Sequence, residues 1–566
     1  MHLPVGVSNF RDLIENKDPQ QKGYLYVDKT NFIKEIIYDL TPVIVLTRPR
    51  RFGKTLNLSM LHHFFADQVE GESTKELFVG LNIAKDLNCI EHQGQHPVIF
   101  ITFKDLKQSN FDACIKKLKD LVAKIYRSYR TVFESLNIAK DDRNYIEAIL
   151  EQTIDPVVLE NSIQRLLEIL HKYYNKKPIL LIDEYDTPIQ EAYLNGYYDE
   201  LIPFFRNFLS APLKDENNLQ RAILTGILRI SKESLFSGLS NVEIYSILDE
   251  NYAQYFGFTE IEVQELLAKA NMSKNLEQAK EWYNGYVFGK TIIYNPWSII
   301  KFIKNKGDLD LYWIHTSSNE LIRELLIKSD LTIKEKFSQL ISGSLIKETI
   351  DQHIVFKDLE KNKAAIWSLF LMTGYLKAIK INRNYCGYKE CELAIPNKEI
   401  GSLYTKIIQE WLSGSRGIIW YQNLWLFLAT GKVKEFENSL QEILIEMASY
   451  HDTGKNIQEV FYQGLMLGIV CGLKDTHEIR TNRESGQGRY DLALIPKDPK
   501  KIGIVMEFKA INEQLNLTEE ANKALMQIKK LQYDRELRSR GINEIYSIGI
   551  AFSGKTVKLV ADYSSK

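Results

Sequence analysis

The stretch "PVIVLTRPRRFGKTLNLSML" (42–61) constrains this chain more than any other. An apolar run of strand-forming residues enters a short cationic loop, and the loop ends in Gly53-Lys54-Thr55 before a helix-compatible segment. Strand, loop and helix in that order place backbone N–H groups around one hollow, with the positive end of the helix dipole behind them. The usual phosphate-binding pattern is G-x-x-x-x-G-K-[ST]. Here Arg48 stands where the first glycine is expected, and Pro49 stiffens the bend after it. Gly53 lets the backbone come close, Lys54 is placed to reach outer phosphates, and the Thr55 hydroxyl is placed to hold Mg²⁺. Arg50, Arg51, Phe52 and Leu56 complete the cradle, the two arginines adding charge where phosphate would sit.

A phosphate loop of this kind needs a carboxylate on a neighbouring strand. "KPILLIDEYD" (177–186) supplies one: an apolar run, then Asp183 and Glu184. Asp183 is the candidate for the Mg²⁺ shell, and Glu184 for orienting and polarising an attacking water. With "TPVIVLT" (41–47), "HPVIFITF" (96–103) and "RAILTGI" (221–227) it reads as one of four buried parallel strands. Amphipathic stretches such as "FDACIKKLKDLVAKIYRSY" lie between them, so the first half is expected to be a doubly wound α/β sheet. From about 259 the pattern turns helical, with short strands near "LMTGYLKAIKINRN". After about 400 the order is α-β-β-α-β, a second α/β core. The expected division is 1–258, 259–398 as a helical lid and α+β connector, and 399–566.

At 566 residues the chain is long enough for two to four domains. A net charge of −1 gives no bulk attraction to nucleic acid, so such a partner would need a local basic face. Five scattered cysteines fit a reducing cytoplasm, and no His or Cys cluster completes a zinc site. The start "MHLPVGVSNF" lacks the features of a signal peptide, and no apolar run is long enough to span a membrane.

In the second core, Glu507 and Lys509 sit two apart in "KIGIVMEFKAI" and share a strand face, with Phe508 turned to the other side. Asp491 in "GRYDLALIPK" can meet them across a hairpin. Two carboxylates beside a lysine can bind divalent metal and activate water for phosphodiester hydrolysis. Glu459, on an upstream helix, could complete the metal shell. Basic residues flank this group: Arg480, Arg483 and Arg489 before it, Lys529, Lys530, Arg535, Arg538 and Arg540 after it. A solvated helix face is one account of them and contact with DNA without sequence preference is the other.

The combination "YVDKT", "RPRRFGKT", "LLIDEYDTPI", "LTGILRIS", "WYNGYVFG" and "YNPWS" resembles the bacterial AAA-ATPase-like family over roughly the first 300 residues. Members often carry a C-terminal PD-(D/E)XK nuclease-type domain, and "GRYD", Glu507-x-Lys509 and Gln527 resemble that domain's motifs. The resemblance implies an ASCE-type P-loop ATPase domain, with ATP and Mg²⁺ as cofactors, joined to a restriction-endonuclease-like domain. The arginine-rich loop is the form this family uses. The resemblance also gives Thr225 the place of the polar residue that contacts the γ-phosphate, and Arg229 that of an arginine finger or sensor. A turn residue and a surface charge remain the plainer readings of these two. The expected function is ATP hydrolysis coupled to Mg²⁺-dependent cleavage of DNA. The alternative is a nucleotide-operated switch or scaffold with a catalytically silent nuclease fold. Assembly into a homo-oligomer is left open, as many ATPases of this broad class assemble.

Overall fold

The computed structural model describes residues 3–15, 24–135, 140–229, 240–316, 320–329, 331–341, 343–352, 363–385, 387–413, 416–449, 459–474, 476–485, 488–511 and 516–565. The side chains of Glu459, Arg483 and Arg489 lie outside the described residues. The chain divides into two compact units, one of residues 1–317 and 348–399, the other of 318–347 and 400–566. The stretch expected as lid and connector is thus shared between them. Helical periodicity marks where an apolar face exists, not which core receives it.

The first unit is built on a five-stranded parallel sheet. Its strands in chain order are β1 (Val43–Thr47), β2 (Val98–Thr102), β3 (Ile179–Asp183), β4 (Arg221–Gly226) and β5 (Val242–Tyr245), and their spatial order is β2-β3-β4-β1-β5. The first four are those read from the sequence. β5 is shorter and carries the exposed Glu243, so its run of apolar residues is broken. All residues of β1 and β3 are buried, as strands covered on both faces must be. The helices between include α1 (Lys54–Phe65), which packs over β2, β3 and β4, then α2 (Phe111–Ser128), α3 (Ser162–Tyr174) and α4 (Tyr198–Leu213).

Two further helices, α5 (Glu260–Lys269) and α6 (Pro296–Lys304), share a core in this unit through Val263, Leu267, Ile299 and Phe302. α5 starts at a reciprocal cap: the Thr259 hydroxyl accepts from the Glu262 N–H, and the Glu262 carboxylate accepts from the Thr259 N–H. The hairpin Lys377–Arg383 and Lys389–Ala394 also falls in this unit. The chain leaves it at the start of α7 (Lys398–Ser413).

The second unit holds α8 (Glu459–Val470) and a five-stranded mixed sheet, β6 (His477–Ser485), β7 (Gly488–Pro496), β8 (Gly503–Ala510), β9 (Glu544–Ser553) and β10 (Thr556–Ser565), arranged in that order. Of its neighbouring pairs only β8 and β9 are parallel, joined by the crossover helix α9 (Leu517–Leu531). The expected α-β-β-α-β order is present, with two strands added at the edges. "HEIRTNRES" and "TVKLVADYSS" are polar or mixed, and edge strands that face water on one side carry a weak hydrophobic signal. Among the described residues no helix is long and apolar enough to cross a membrane.

Candidate functional site

The β1–α1 junction forms the expected hollow. Gly53 has φ +84°, a conformation glycine adopts without strain, and Arg51 is held at φ +67° just before it. The Lys54 amine folds back along the loop and donates to the carbonyls of Arg48 (3.1 Å) and Pro49 (2.9 Å). Burial pulls its pKa down, against the opposing pull of Glu184, Asp183 and Asp186. The Thr55 hydroxyl donates to Asp183 Oδ2 at 2.7 Å, so the strand carboxylate and the loop threonine meet directly.

Asp183 is fully buried at the end of β3. Its other oxygen, Oδ1, accepts from the Thr225 hydroxyl at 2.8 Å, because β4 lies between β3 and β1. Thr102 on β2 reaches the same carboxylate at 3.5 Å. Desolvation pushes the Asp183 carboxyl above the usual carboxylate range, and the two nearer hydroxyls pull it back. Glu184 follows at φ +53°, a left-handed conformation that costs a non-glycine residue about 1–2 kcal/mol. Thr187 Oγ1 donates to Glu184 Oε2 at 3.3 Å. Glu184, Arg50, Arg51, Gly53, Lys54 and Thr55 all line one cavity of about 410 Å³.

Several side chains stand differently from what their letters suggest. The Arg48 guanidinium turns away from the hollow, is fully buried, and donates to the carbonyls of Thr47, Tyr245 and Asn251 between the rings of Phe256 and Phe288. It pins the loop's origin to the β5 side of the sheet. Phe52 buries its ring against Tyr286 and Phe288. Leu56 lines the cavity. Arg50 reaches Gln190 Oε1 at 3.2 Å, and Arg51 lies over the Trp297 ring at 4.6 Å. Thr225 addresses Asp183. Arg229 lies outside the cavity lining, its Nε buried and lacking a hydrogen-bond partner among the described residues. Asp28 caps its own turn, accepting from Thr30 and Asn82, while Lys29 pairs with Glu262 at 2.6 Å.

Sequence reading missed Asp186. Its carboxylate accepts from the N–H groups of Ile227 and Leu228 at 2.9 Å and so fixes the turn after Thr225. The acidic run 183–186 contained the signal, but only the fold shows which acid meets which backbone.

In the second unit, Asp491 and Glu507 stand on adjacent strands, as expected. Asp491 Oδ2 accepts from the Phe508 N–H at 2.7 Å, and Oδ1 accepts from Gln463 Nε2 at 3.0 Å. Glu507 is only 4% exposed and accepts from Gln527 Nε2 on α9. Lys509 shares its face, with Nζ 3.7 Å from Glu507 Oε1, and the Phe508 ring goes into the core. Gln463 was not anticipated, although it lies one helical turn after Glu459 on α8. Among the described residues no three His, Cys, Asp or Glu side chains come together as a metal cluster.

The expected basic face is largely engaged with acids of its own unit. Arg480 and Arg540 both bridge Glu478 and Glu536, Arg538 pairs with Asp534, and Lys529 pairs with Asp562. Proximity in sequence to the carboxylates did not reveal these partners, which arrive from β6, β10 and the segment after α9.

Both donor sets fit hard divalent cations, being hydroxyl and carboxylate oxygens. The orientation of Thr55 fits as well: its proton goes to Asp183, leaving oxygen lone pairs for a metal.

Residues 4–236 match the family described as predicted AAA-ATPase, AAA-ATPase-like, and residues 457–562 match the PD-(D/E)XK nuclease superfamily. An uncharacterized protein in the vnfD 5′ region of Azotobacter chroococcum mcd 1 is 25% identical over 562 residues, covering 97% of this chain and 96% of that relative. A parallel sheet with its loop threonine and strand carboxylate in contact beside the loop lysine, followed by a mixed sheet carrying Asp491, Glu507 and Lys509, agrees with both matches. Residues 4–236 are therefore assigned to an AAA-ATPase-like domain and residues 457–562 to a PD-(D/E)XK nuclease-superfamily domain.

Proposed function

We propose that the first unit binds and hydrolyses ATP with Mg²⁺, and that the second cleaves DNA with a divalent metal. The observation that carries the reading is Asp183, fully buried yet held by the Thr55 and Thr225 hydroxyls, beside a cavity lined by Lys54 and Glu184. Thr55 and Asp183 would hold Mg²⁺, whose charge would offset that of the triphosphate. Lys54 exchanges its loop carbonyls for phosphate oxygens. Glu184 orients a water toward the γ-phosphorus; the new P–O bond forms as the bond to the ADP oxygen breaks.

In the second unit Asp491 and Glu507 would hold the metal, which supplies Lewis acidity and a more acidic water. Gln463 and the Phe508 N–H aim Asp491, and Gln527 aims Glu507. Lys509 puts positive charge next to the reacting phosphate. We further propose that nucleotide state gates cleavage. The test is DNA degradation with Mg²⁺ or Mn²⁺, with and without ATP, in the full chain and in Lys54→Ala and Asp491→Ala. Asp491→Ala is expected to abolish cleavage. Equal cleavage by Lys54→Ala and the parent protein under both nucleotide conditions would remove the gating.

The ion pairs around the second sheet favour one other reading. With Arg480, Arg538, Arg540 and Lys529 held by acids, the nuclease fold offers less charge to DNA, as a silent docking domain of a nucleotide switch would. Cleavage by the parent chain that is lost in Asp491→Ala rules that reading out.

A further inference from the structure

Arg48 anchors the origin of the phosphate loop, and the residues that follow it are gripped from elsewhere in the unit. The carbonyl of Arg50 accepts from the indole Nε1 of Trp313 at 3.0 Å. Trp313 is itself 1% exposed and packs against Tyr375, with ring centroids 5.0 Å apart. Its backbone N–H donates to Glu399 Oε1 at 2.5 Å. Glu399 is fully buried, and its other oxygen accepts from the Ser298 hydroxyl at 2.9 Å. Ser298 lies in the first turn of α6, next to Trp297, the ring that Arg51 covers. One buried carboxylate therefore reaches the loop by two arms, one ending on the Arg50 carbonyl and the other beside the Arg51 side chain. These two residues precede Phe52 and Gly53, and Arg51 carries the left-handed backbone of the loop.

Glu399 is costly to keep. Burial pushes its carboxyl up to about 7, against the donors from Trp313 and Ser298. Glu399 does not line the cavity. Its reach is the geometry of the loop.

We propose that Glu399 and Trp313 are positioning residues of the phosphate loop, fixing the Arg50 carbonyl and the Arg51 turn from outside it. This rests on the reading of the loop as an ATP site. The indole N–H holds the Arg50 carbonyl, and with it the peptide plane that leads into the Arg51 turn. The loop then presents its donors without a search through alternative backbone conformations.

The experiment measures Mg·ATP affinity by titration, and KM and kcat for hydrolysis, in the full chain and in Trp313→Phe, Glu399→Gln, Glu399→Ala and Ser298→Ala. Trp313→Phe keeps a ring and removes only the donor. It is expected to weaken affinity and raise KM about fivefold, the effect of one lost hydrogen bond, with kcat changed less. Glu399→Gln still accepts from the Trp313 N–H and is expected to retain most of the affinity, whereas Glu399→Ala loses as much as Trp313→Phe. Ser298→Ala tests the second arm, with a smaller loss in the same direction, and stands in if Trp313→Phe does not fold. Inorganic tripolyphosphate with Mg²⁺ serves as a second probe, because a loop effect must appear without the nucleoside. Unchanged affinity in folded Trp313→Phe, or in Ser298→Ala and Glu399→Ala where that variant is lost, overturns the proposal while leaving the ATP site standing. Failure of the parent chain to bind either probe overturns the ATP site and the proposal with it.

Discussion

Replacing Asp183 by Asn should stabilise the nucleotide-free protein while removing its hydrolysis. The carboxylate is fully buried, and burial raises its pKa above the usual 3.8 despite two hydroxyl donors at 2.7 and 2.8 Å. A hydrogen bond to a charged group contributes about 1.5–3 kcal/mol, and burying a charge costs several kcal/mol. The upward shift means that burial exceeds the gain from the donors. An Asn side chain fills the same space, and because Thr55 and Thr225 can donate or accept, its amide keeps partners. Removing a charge of this kind typically adds about 1–2 kcal/mol, which for a unit of this size is about 1–3 °C in Tm. The sign follows from linkage. A raised carboxylate pKa means that the folded state prefers the protonated acid, so its contribution is fully present below the unfolded pKa and is lost as pH rises through the folded value. The gain from Asp183→Asn should therefore be full at about pH 8 and shrink as pH falls through the raised Asp183 pKa toward the unfolded value. Differential scanning calorimetry across that range, with and without Mg·ATP, measures it. The parent protein should gain Tm from Mg·ATP and the variant should not. A Tm for Asp183→Asn below the parent value at the alkaline end would refute the reasoning, since the ionised carboxylate would then be holding the fold together.

Other outcomes follow from single contacts. A Cβ at position 226 would lie 2.6 Å from the Tyr185 ring and 2.7 Å from Asp186 Oδ1, so Gly226→Ala must displace the turn after Thr225. We expect it to cost about 1–3 kcal/mol and to lower ATP turnover, checked by thermal unfolding and a phosphate-release assay. Gln527→Leu removes the α9 amide that donates to buried Glu507. It should destabilise the second unit by about 1–3 kcal/mol and reduce metal-dependent cleavage, while ATP hydrolysis by the first unit stays at the parent rate.

Local pattern and tertiary contact contributed different parts of this molecule. The runs that became β1 to β4 were legible because strands covered on both faces must be apolar throughout. Gly53-Lys54-Thr55 and Asp183-Glu184 were legible because short-range chemistry fixes their spacing against a strand end. Glu507 and Lys509 could be placed on one face because strand geometry alternates side chains, and Asp491 opposite them because a hairpin pairs its strand with theirs. The edge strands β6 and β10 were not, since their mixed polarity follows from partial exposure that only the assembled sheet defines. Nor could the sequence divide 259–398 between two units, because an amphipathic helix does not name its partner.

The letters from 48 to 55 determined that the loop would be cationic, short and glycine-hinged at one end. They could not say that Arg48 would turn into the core to grip the carbonyls of Tyr245 and Asn251, leaving the hollow to others. They could not say that Trp313, itself held by Glu399, would close on the Arg50 carbonyl. Such contacts join residues 86 to 263 positions apart, and their energy exists only once burial has removed water from both partners. The letters decide which groups are available for that exchange; the folded chain alone decides which of them meet.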